Sequence, residues 1–218
     1  MPKQYTDTQI SLQREFDTEA LASRLALTVE RSEFTAGDTS FIRSQDMFFL
    51  ATVDSAGYPT CSYKGGEPGF VNVVNPKTLH FPIYDGNGMF LSTGNVQETS
   101  KVGLLFISFE VPHRLRVEGT ASLNRTKDAL AQYPGALLVV EVAVTSIYVN
   151  CPRYIHKRKL AERSRYLPKP GALQPLPQWK RLDLFNDALS AEDKDRVDNA
   201  GGQLSLEDYR ALLSKGDA

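Results

Sequence analysis

Residues 47–65 read Met-Phe-Phe-Leu-Ala-Thr-Val-Asp-Ser-Ala-Gly-Tyr-Pro-Thr-Cys-Ser-Tyr-Lys-Gly, two β-prone runs around the turn signal Asp54-Ser-Ala-Gly57. Similar runs recur downstream, and Asn75-Pro76 and Asp85-Gly-Asn-Gly88 interrupt them. Short strands at hairpin spacing are typical of an antiparallel barrel rather than of alternating βαβ units. We therefore predict a mainly β core with strands over 47–53, 59–65, 70–74, 79–84, 88–92, 102–110, 113–123 and 136–150.

Helical patterns precede and interrupt the predicted strands. Leu21, Leu25 and Val29 recur four residues apart behind Asp17, a residue type that caps helix N-termini. This spacing predicts an amphipathic helix over 17–30, and shorter helical patterns predict helices at 94–100 and 126–132.

The C-terminal region has a different composition from the β core. Four prolines between residues 167 and 177 favour an extended arm. Ser190 and Ser205 each begin a Ser-x-x-Asp capping pattern followed by helical spacing. The stretch from 183 to 218 carries nine acidic and four basic residues, so it predicts an acidic helical tail.

Composition and charge exclude several classes of protein. With 218 residues, 41% of them hydrophobic and 23% charged, the chain suits one globular core rather than a disordered chain. The 25 basic and 26 acidic residues give a net charge of −1, so no overall charge attracts nucleic acid or anionic lipid. The chain starts without an apolar segment and has no apolar run of membrane-spanning length. We expect a cytoplasmic protein.

Metal and nucleotide signatures are missing from the sequence. The two cysteines, Cys61 and Cys151, form no CxxC pair, and the three histidines are widely spaced. The region 195–207 matches a calcium loop poorly, because Val197 and Ala200 stand at key positions. No P-loop, dinucleotide fingerprint or nucleophile elbow is present. We expect no bound metal, and the sequence does not identify the catalytic residues.

Three stretches place polar groups where a strand could present them to a ligand. Ser62 and Lys64 alternate with neighbours on one strand, so both side chains face the same way and can contact one anion. Ser92-Thr93 lies where a strand meets a short helix, a place where amide and hydroxyl groups bind phosphate. Arg114 and Arg116 share one face of a later strand. The alternatives are a solvated lysine, simple helix capping and an Arg116–Glu118 charge pair.

Eight segments follow one another along the chain in an order and spacing that identify a family. They are Phe48-Phe-Leu-Ala-Thr-Val-Asp54, Gly57-Tyr-Pro59, Ser62-Tyr-Lys-Gly-Gly66, Pro68-Gly-Phe-Val71, Tyr84-Asp-Gly-Asn-Gly-Met-Phe90, Val102-Gly-Leu-Leu-Phe106, Leu115-Arg-Val-Glu-Gly119 and Asn150-Cys-Pro-Arg-Tyr-Ile155. Together they resemble the FMN-binding split-barrel proteins related to pyridoxamine 5'-phosphate oxidase, and especially their flavin-nucleotide-binding branch.

The resemblance implies a six-stranded antiparallel split β-barrel that forms a homodimer with FMN in each of two clefts between the subunits. It divides the chain into an N-terminal helical extension (1–40), the barrel (41–156), and a basic segment with a Pro-rich arm and acidic helical tail (157–218). The residues it assigns to FMN are Thr60, Cys61, Ser62, Tyr63, Lys64, Leu91, Ser92, Gly94, Asn95, Arg114 and Arg153.

Two departures from the oxidase pattern affect the function that the resemblance implies. The Arg-Lys pair that follows the phosphate strand in the oxidase is replaced by Gly94-Asn-Val-Gln97, so phosphate binding would rest on backbone amides, Ser92 and Lys64. The closing Trp and Arg-His segment is replaced by Asn150-Cys-Pro-Arg-Tyr154, which argues against vitamin B6 as the substrate.

Three functions follow as hypotheses. The first is an FMN-dependent oxidoreductase acting on a small molecule, and the second is a non-catalytic flavin carrier that docks a partner through its tail. The third, nucleic-acid binding through 153–165, rests on six basic residues against one acidic residue, and we consider it unlikely because a solvated helix explains the same pattern. A deazaflavin in place of FMN is also open.

Overall fold

The computed structural model describes residues 5–169 and 171–215. The chain divides into two compact units, Met1–Glu162 and Arg163–Ala218. Of the features predicted above, Pro170 of the arm and Asp217 of the acidic tail lie outside the described residues.

The described part of the first unit is built on one antiparallel sheet of seven strands in the order β2-β1-β5-β6-β7-β4-β3. The mainly β prediction is confirmed, and the sheet is open, with β2 and β3 at its edges. It has one strand more than the six that the resemblance implies and one fewer than the eight predicted from the strand pattern. The strands are β1 (Met47–Val53), β2 (Pro59–Gly65), β3 (Asn72–Asn75), β4 (Thr78–Tyr84), β5 (Lys101–Ser108), β6 (His113–Asn124) and β7 (Ala136–Val149).

Alternation along the strands creates the hydrophobic core. Phe48 on β1 is fully buried, and its ring lies 5.0 Å from that of Phe81 on β4 and 5.2 Å from that of Phe106 on β5. Strand neighbours such as Phe49 point to the other face and remain partly exposed. The two faces of β1 therefore differ, one forming the core and the other an accessible apolar surface.

A bulge in β7 bends the sheet, with Thr145 as the extra residue between Val144 and Ser146, the register partners of Gly119 and Glu118. The register between β6 and β7 shifts at Glu118 and Gly119. A Cβ atom at Gly119 would lie 2.4 Å from the carbonyl oxygen of Ala143, so only glycine fits this approach of two backbones. The bend allows the long strands β6 and β7 to pair with both halves of the sheet.

Within the residues of the first unit that the structure describes, the helices are α1 (Asp7–Glu15), α2 (Glu19–Val29), α3 (Ala36–Ser44), α4 (Leu91–Thr99) and α5 (Lys127–Ala131). The predicted helices over 17–30 and 126–132 correspond to α2 and α5, but Asp17 is not the N-cap. It has a left-handed backbone with φ 52°, and Thr18 holds the cap position. Helices α1 and α3, which we did not predict, begin with capping boxes at Thr6 and Thr35.

The strand predicted over 88–92 is wrong. The chain passes through irregular backbone to Phe90, which is left-handed (φ 50°), and α4 starts at Leu91 rather than at Gly94. The apolar run Met89-Phe-Leu91 suggested a strand, but all three side chains are exposed and no neighbouring strand pairs with them in the described sheet. The basic stretch 153–165 contains turns and irregular backbone, so the solvated helix considered there is also wrong.

The second unit is small and helical. It contains 3₁₀ turns at Gln178–Arg181 and Asp183–Ala188, followed by α6 (Ala191–Asn199) and α7 (Leu206–Lys215). Ser190 and Ser205 accept hydrogen bonds from Asp193 N and Asp208 N, as the capping patterns predicted. Lys180, which is buried, lies 3.0 Å from the carboxylate of Asp193. Across residues 5–169 and 171–215, the longest apolar helix falls short of what crossing a bilayer requires.

Candidate functional site

A cleft of about 260 Å³ opens beside the edge strand β2. Its walls are the inner face of β2, the end of β4 with the loop at 86–90, and the first turn of α4. On β2, Thr60, Ser62 and Lys64 are partly buried, whereas Cys61 and Tyr63 are exposed. The strand therefore turns a polar face toward the cleft, with Ser62 and Lys64 on the same side as predicted.

Helix α4 closes the cleft through a contact between two hydroxyl groups. Ser62 Oγ lies 3.0 Å from Ser92 Oγ, which joins the middle of β2 to the first turn of the helix. The N-cap residue, Phe90, provides no side-chain hydrogen bond to the helix. Thr93 Oγ1 donates to the Phe90 carbonyl instead of accepting from an amide. The alternative that Ser92 and Thr93 simply cap the helix is therefore not what the structure shows.

The uncapped helix start leaves amide donors at the cleft. The first intrahelical bond runs from Gly94 N to Phe90 O at 2.7 Å, so the amides of Leu91, Ser92 and Thr93 precede the hydrogen-bonded ladder. The helix dipole adds partial positive charge at the same end. This end of α4 is suited to bind an anion.

Lys64 supplies a full positive charge on the same cleft. It is partly buried, and within the described residues it has neither a carboxylate partner nor a side-chain hydrogen bond. Burial lowers the pKa of the Lys64 ammonium because desolvation disfavours the charged form. An anion bound in the cleft would offset this cost.

A buried hydroxyl cluster supports the cleft from below. Thr52 Oγ1 lies 2.8 Å from Thr60 Oγ1, and the buried Asn95 donates Nδ2 to Thr52 at 3.0 Å and to Thr60 at 3.4 Å. Thr99 Oγ1 donates to the Val53 carbonyl. These bonds fix α4 against β1 and β2. Asn95, predicted as a cofactor residue, therefore lies behind the cleft and positions its walls.

The remaining residues predicted on β2 and α4 lie partly in the cleft and partly away from it. Cys61 and Leu91 line the cleft and are exposed. Tyr63 does not line it: its ring is on the other face of β2, edge-on to Phe49 at 6.2 Å. Gly94 is exposed on α4, with open space where a side chain would be.

The two predicted arginines lie away from this cleft. Arg114 is the second residue of β6 and pairs in register with Ile107, on the outer face that also carries Tyr63. Its Nη2 donates to the Cys151 carbonyl at 2.8 Å. Arg153 is exposed in the irregular segment after β7. Within one chain, the structure brings Ser62, Lys64 and Ser92 together and separates them from both arginines.

Sequence reasoning missed part of the cleft wall. Ile83, Tyr84 and the 86–90 loop line it, although the loop was read only as a turn signal followed by a strand. Burial raises the pKa of Tyr84, so its phenol stays protonated and can donate. The Asp85-Gly-Asn-Gly88 signal marked a turn, but no local pattern showed that this turn would fold back over β2.

The arrangement fits a phosphate ester better than a metal ion. A lysine, two serine hydroxyls and free helix amides are all hydrogen-bond donors to an anion. Over residues 5–169 and 171–215, no group of three or more metal-ligating side chains comes together. The cleft can therefore hold the phosphate of a nucleotide cofactor by charge and hydrogen bonding.

Comparison with solved structures shows similar folds at low sequence identity. A candidate pyridoxamine 5'-phosphate oxidase from Lactobacillus delbrueckii is 22% identical (TM-score 0.46) over 56% of this chain and 99% of its own. An FMN-binding protein from Syntrophomonas wolfei is 12% identical (TM-score 0.41; 65% and 95% covered). The heme storage protein HutZ from Vibrio cholerae is 19% identical (TM-score 0.38; 50% and 89% covered).

A comparison with protein-family models identifies the family of this chain. No protein of the curated set matches the chain. The family model described as pyridoxamine 5'-phosphate oxidase matches residues 38–151, just over half of the chain. This range covers all seven strands and the cleft between β2 and α4. The family resemblance read from the sequence is thus confirmed: the chain belongs to the pyridoxamine 5'-phosphate oxidase family.

Proposed function

We propose that the chain binds FMN, with the phosphate held in the cleft between β2 and α4, and that it acts as an FMN-dependent oxidoreductase on a small molecule. The observation that supports this most is Lys64, a partly buried cation without a carboxylate partner in the described residues. It shares the cleft with Ser62, Ser92 and the uncapped start of α4.

A second copy of the chain is part of the proposal. Met47, Phe49, Leu105 and Ile107 form a partly exposed apolar patch on the outer face of β1 and β5. Association of two such faces would remove this surface from water. Arg114 and Arg153 lie outside their own cleft, so in our proposal they meet the flavin bound by the partner subunit.

Each group then has a distinct role. FMN, when bound, supplies the redox chemistry. Lys64 balances the phosphate charge, Ser62 and Ser92 orient the phosphate by hydrogen bonds, and the first turn of α4 adds amide donors. Arg114 would stabilise negative charge near the ring through its guanidinium cation. This division needs no side-chain nucleophile.

The alternative is a flavin-binding or carrier protein without turnover. Its support is the acidic stretch 183–218, which suits docking of a basic partner. An anaerobic reduction experiment separates the two. An oxidoreductase that uses a nicotinamide donor loses its oxidised-flavin absorbance when NADH or NADPH is added. Full retention of oxidised flavin with both donors, followed by capture of a partner only when 183–218 is present, favours the carrier.

The cofactor itself is tested by spectrum and titration. We expect the purified protein to show the two visible bands of oxidised flavin. FMN should bind about ten- to a hundredfold more tightly than riboflavin, which lacks only the phosphate. Heme and a deazaflavin serve as competing ligands. Equal affinity for FMN and riboflavin, or saturable binding of heme alone, would contradict the proposal.

A further inference from the structure

The N-terminal helix pair, α1 and α2, exposes more apolar surface than its own chain covers. The helices have 9 and 11 residues, and neither contains a buried residue. They nevertheless carry five large apolar side chains that are 44–69% exposed: Leu12, Phe16, Leu21, Leu25 and Leu27. Helices this short owe most of their stability to packing of an apolar face. Within the described residues of one chain, that packing surface is not provided.

The helix pair is held at the end of the sheet where β6 starts and β7 ends. Directly after α2, Arg31 and Ile147 exchange backbone hydrogen bonds of 3.0 and 2.7 Å, which attach the pair to β7. Leu25 lines an open cavity of about 640 Å³ together with His113 and residues 150–152. The position of the pair is therefore fixed, while its apolar side chains stay accessible.

The exposed surface continues from the helix pair across the outer face of the sheet. Strand register places five side chains in one row on this face, in the order Tyr63, Phe49, Leu105, Arg116 and Tyr148. Tyr148, at one end of the row, lines the same cavity as Leu25. Tyr63, at the other end, is 62% exposed on the edge strand β2. Phe49 and Leu105, in the middle, belong to the patch that we assign to the dimer.

That patch is too small to hold two subunits together by itself. Its four side chains, Met47, Phe49, Leu105 and Ile107, are each only partly exposed. Each partner of a standard interface buries about 800 Å². Further area has to come from the adjoining surface, and the helix pair is adjoining surface that exposes apolar side chains.

We propose that the α1–α2 pair docks on a second copy of the chain, at the outer side of its edge strand β2. The inference rests on the proposed function, in which Arg114 meets the flavin held beside β2 of the partner subunit. Arg114 donates to the carbonyl of Cys151, which lines the cavity next to α2. An arrangement that brings Arg114 to β2 of the partner subunit therefore brings α2 there as well. Two-fold symmetry repeats the contact and covers both edge strands.

Leu21 and Leu27 provide a matched pair of variants. Leu21 lies four residues before Leu25, on the side of α2 that we place against the partner, whereas Leu27 is similarly exposed on another side. We expect Leu21→Glu to raise the dimer dissociation constant at least about tenfold in sedimentation equilibrium, because the change occurs twice per dimer. Leu27→Glu should change it less than about threefold. Circular dichroism and FMN titration of each variant monitor the fold and the cleft.

Cross-linking tests where the helix pair docks. Cys61 shares the outer face of β2 with Tyr63 and is exposed. In a Cys151→Ser background, Leu21→Cys treated with a short bis-maleimide should give a covalent dimer through the partner's Cys61. Adding Cys61→Ser should remove this product.

The outcomes separate this inference from the proposed function on which it rests. A native protein that sediments as a monomer would refute the proposed dimer and the docking with it. A native dimer that Leu21→Glu weakens no more than Leu27→Glu does would overturn the docking alone. A covalent dimer that survives Cys61→Ser would also overturn it, because the helix pairs would then meet each other. In both of these cases, FMN binding in the β2–α4 cleft is unaffected.

Discussion

Ser62 Oγ on β2 and Ser92 Oγ on α4 lie 3.0 Å apart, although 30 residues separate them in the chain. The contact links the edge strand of the sheet to the first turn of a helix. Because β2 has a strand neighbour on one side only, α4 is what completes the cleft around its inner face. The proposed anion site therefore depends on how α4 docks, and the Asn95 hydrogen bonds to Thr52 and Thr60 fix that docking.

Removing the lysine and the helix hydroxyl should weaken FMN binding without unfolding the protein. We expect Lys64→Ala combined with Ser92→Ala to raise the FMN dissociation constant about ten- to a hundredfold, because charge-assisted phosphate contacts contribute about 1.5–3 kcal/mol. Fluorescence titration measures the change. Lys101→Ala, at an exposed lysine of β5, is the control and should bind FMN normally. Unchanged FMN titrations in the double variant would remove both residues from the site.

FMN affinity should fall at alkaline pH. Burial lowers the pKa of Lys64 below the usual lysine value, so its charge is lost at lower pH than that of an exposed lysine. The phosphate remains anionic in this range. We expect the dissociation constant to rise as the pH increases toward 10.5, the usual lysine value, and Lys64→Arg to flatten the profile because arginine stays charged. Riboflavin, which lacks the phosphate, is the control ligand. If the pH profile of FMN binding is the same in Lys64→Arg as in the native protein, Lys64 is not the group that causes the pH dependence.

The protein should be a dimer whose flavin content depends on association. The outer face of β1 and β5 exposes apolar side chains, among them Phe49 and Leu105, that one subunit cannot cover. We expect sedimentation to show twice the chain mass of 24.2 kDa, and dilution to release flavin along with the partner. Phe49→Glu should shift the equilibrium toward monomer. A 24.2 kDa species that retains stoichiometric flavin would contradict this prediction.

Arg114 should affect the redox behaviour of the flavin more than its retention. Reduction adds negative charge to the ring, whereas the phosphate is charged in both redox states. We expect Arg114→Gln to lower the flavin midpoint potential, where each ~30 mV of a two-electron couple equals about 1.4 kcal/mol. Redox titration measures it, with oxidised FMN affinity as the comparison. If affinity collapses while the potential is constant, Arg114 is a phosphate or structural residue.

The ion pair between Arg31 and Asp38 should stabilise the folded protein at pH values above the acidic range. Burial raises the pKa of Asp38, but hydrogen bonds from Arg31 and Thr35 outweigh it and hold the pKa below the usual 3.8. The folded-state pKa is the lower one, so the stabilisation is present above the unfolded value and is lost as pH falls through the folded value. Asp38→Asn should cost about 2 kcal/mol near pH 7, because a hydrogen bond to a charged group contributes roughly 1.5–3 kcal/mol.

Urea unfolding across pH checks this assignment. The difference between the native protein and Asp38→Asn should shrink as the pH approaches and passes below 3.8. Asp195→Asn, at an exposed position of α6, is the control and should change stability little. An Asp38→Asn variant as stable as the native protein at pH 7 would show that the ion pair contributes nothing.

The strands of the sheet could be predicted because they are local patterns. The alternation that buries Phe48 and exposes its neighbours can be read from the sequence, and so can the shared face of Ser62 and Lys64. The helix starts marked by Ser190 and Ser205 were also readable, since capping uses residues three apart.

The errors came from features that local pattern does not encode. Met89-Phe-Leu91 has the composition of a strand, but no neighbouring strand pairs with it, and a left-handed Phe90 starts a helix instead. The family resemblance grouped Arg114 with Lys64. Within one chain they lie on opposite faces of the sheet, a distinction that requires the register of four strands.

The pleat of β2 also bears on how this site can change in evolution. Thr60, Ser62 and Lys64 meet the cleft only because they occupy every second position of the strand. Deleting one residue within β2 would leave a strand of similar composition but turn Cys61 and Tyr63 inward in their place. Point substitutions would tune the proposed anion site, but a one-residue gap would erase it, so a relative whose alignment opened such a gap would keep the sheet without the site.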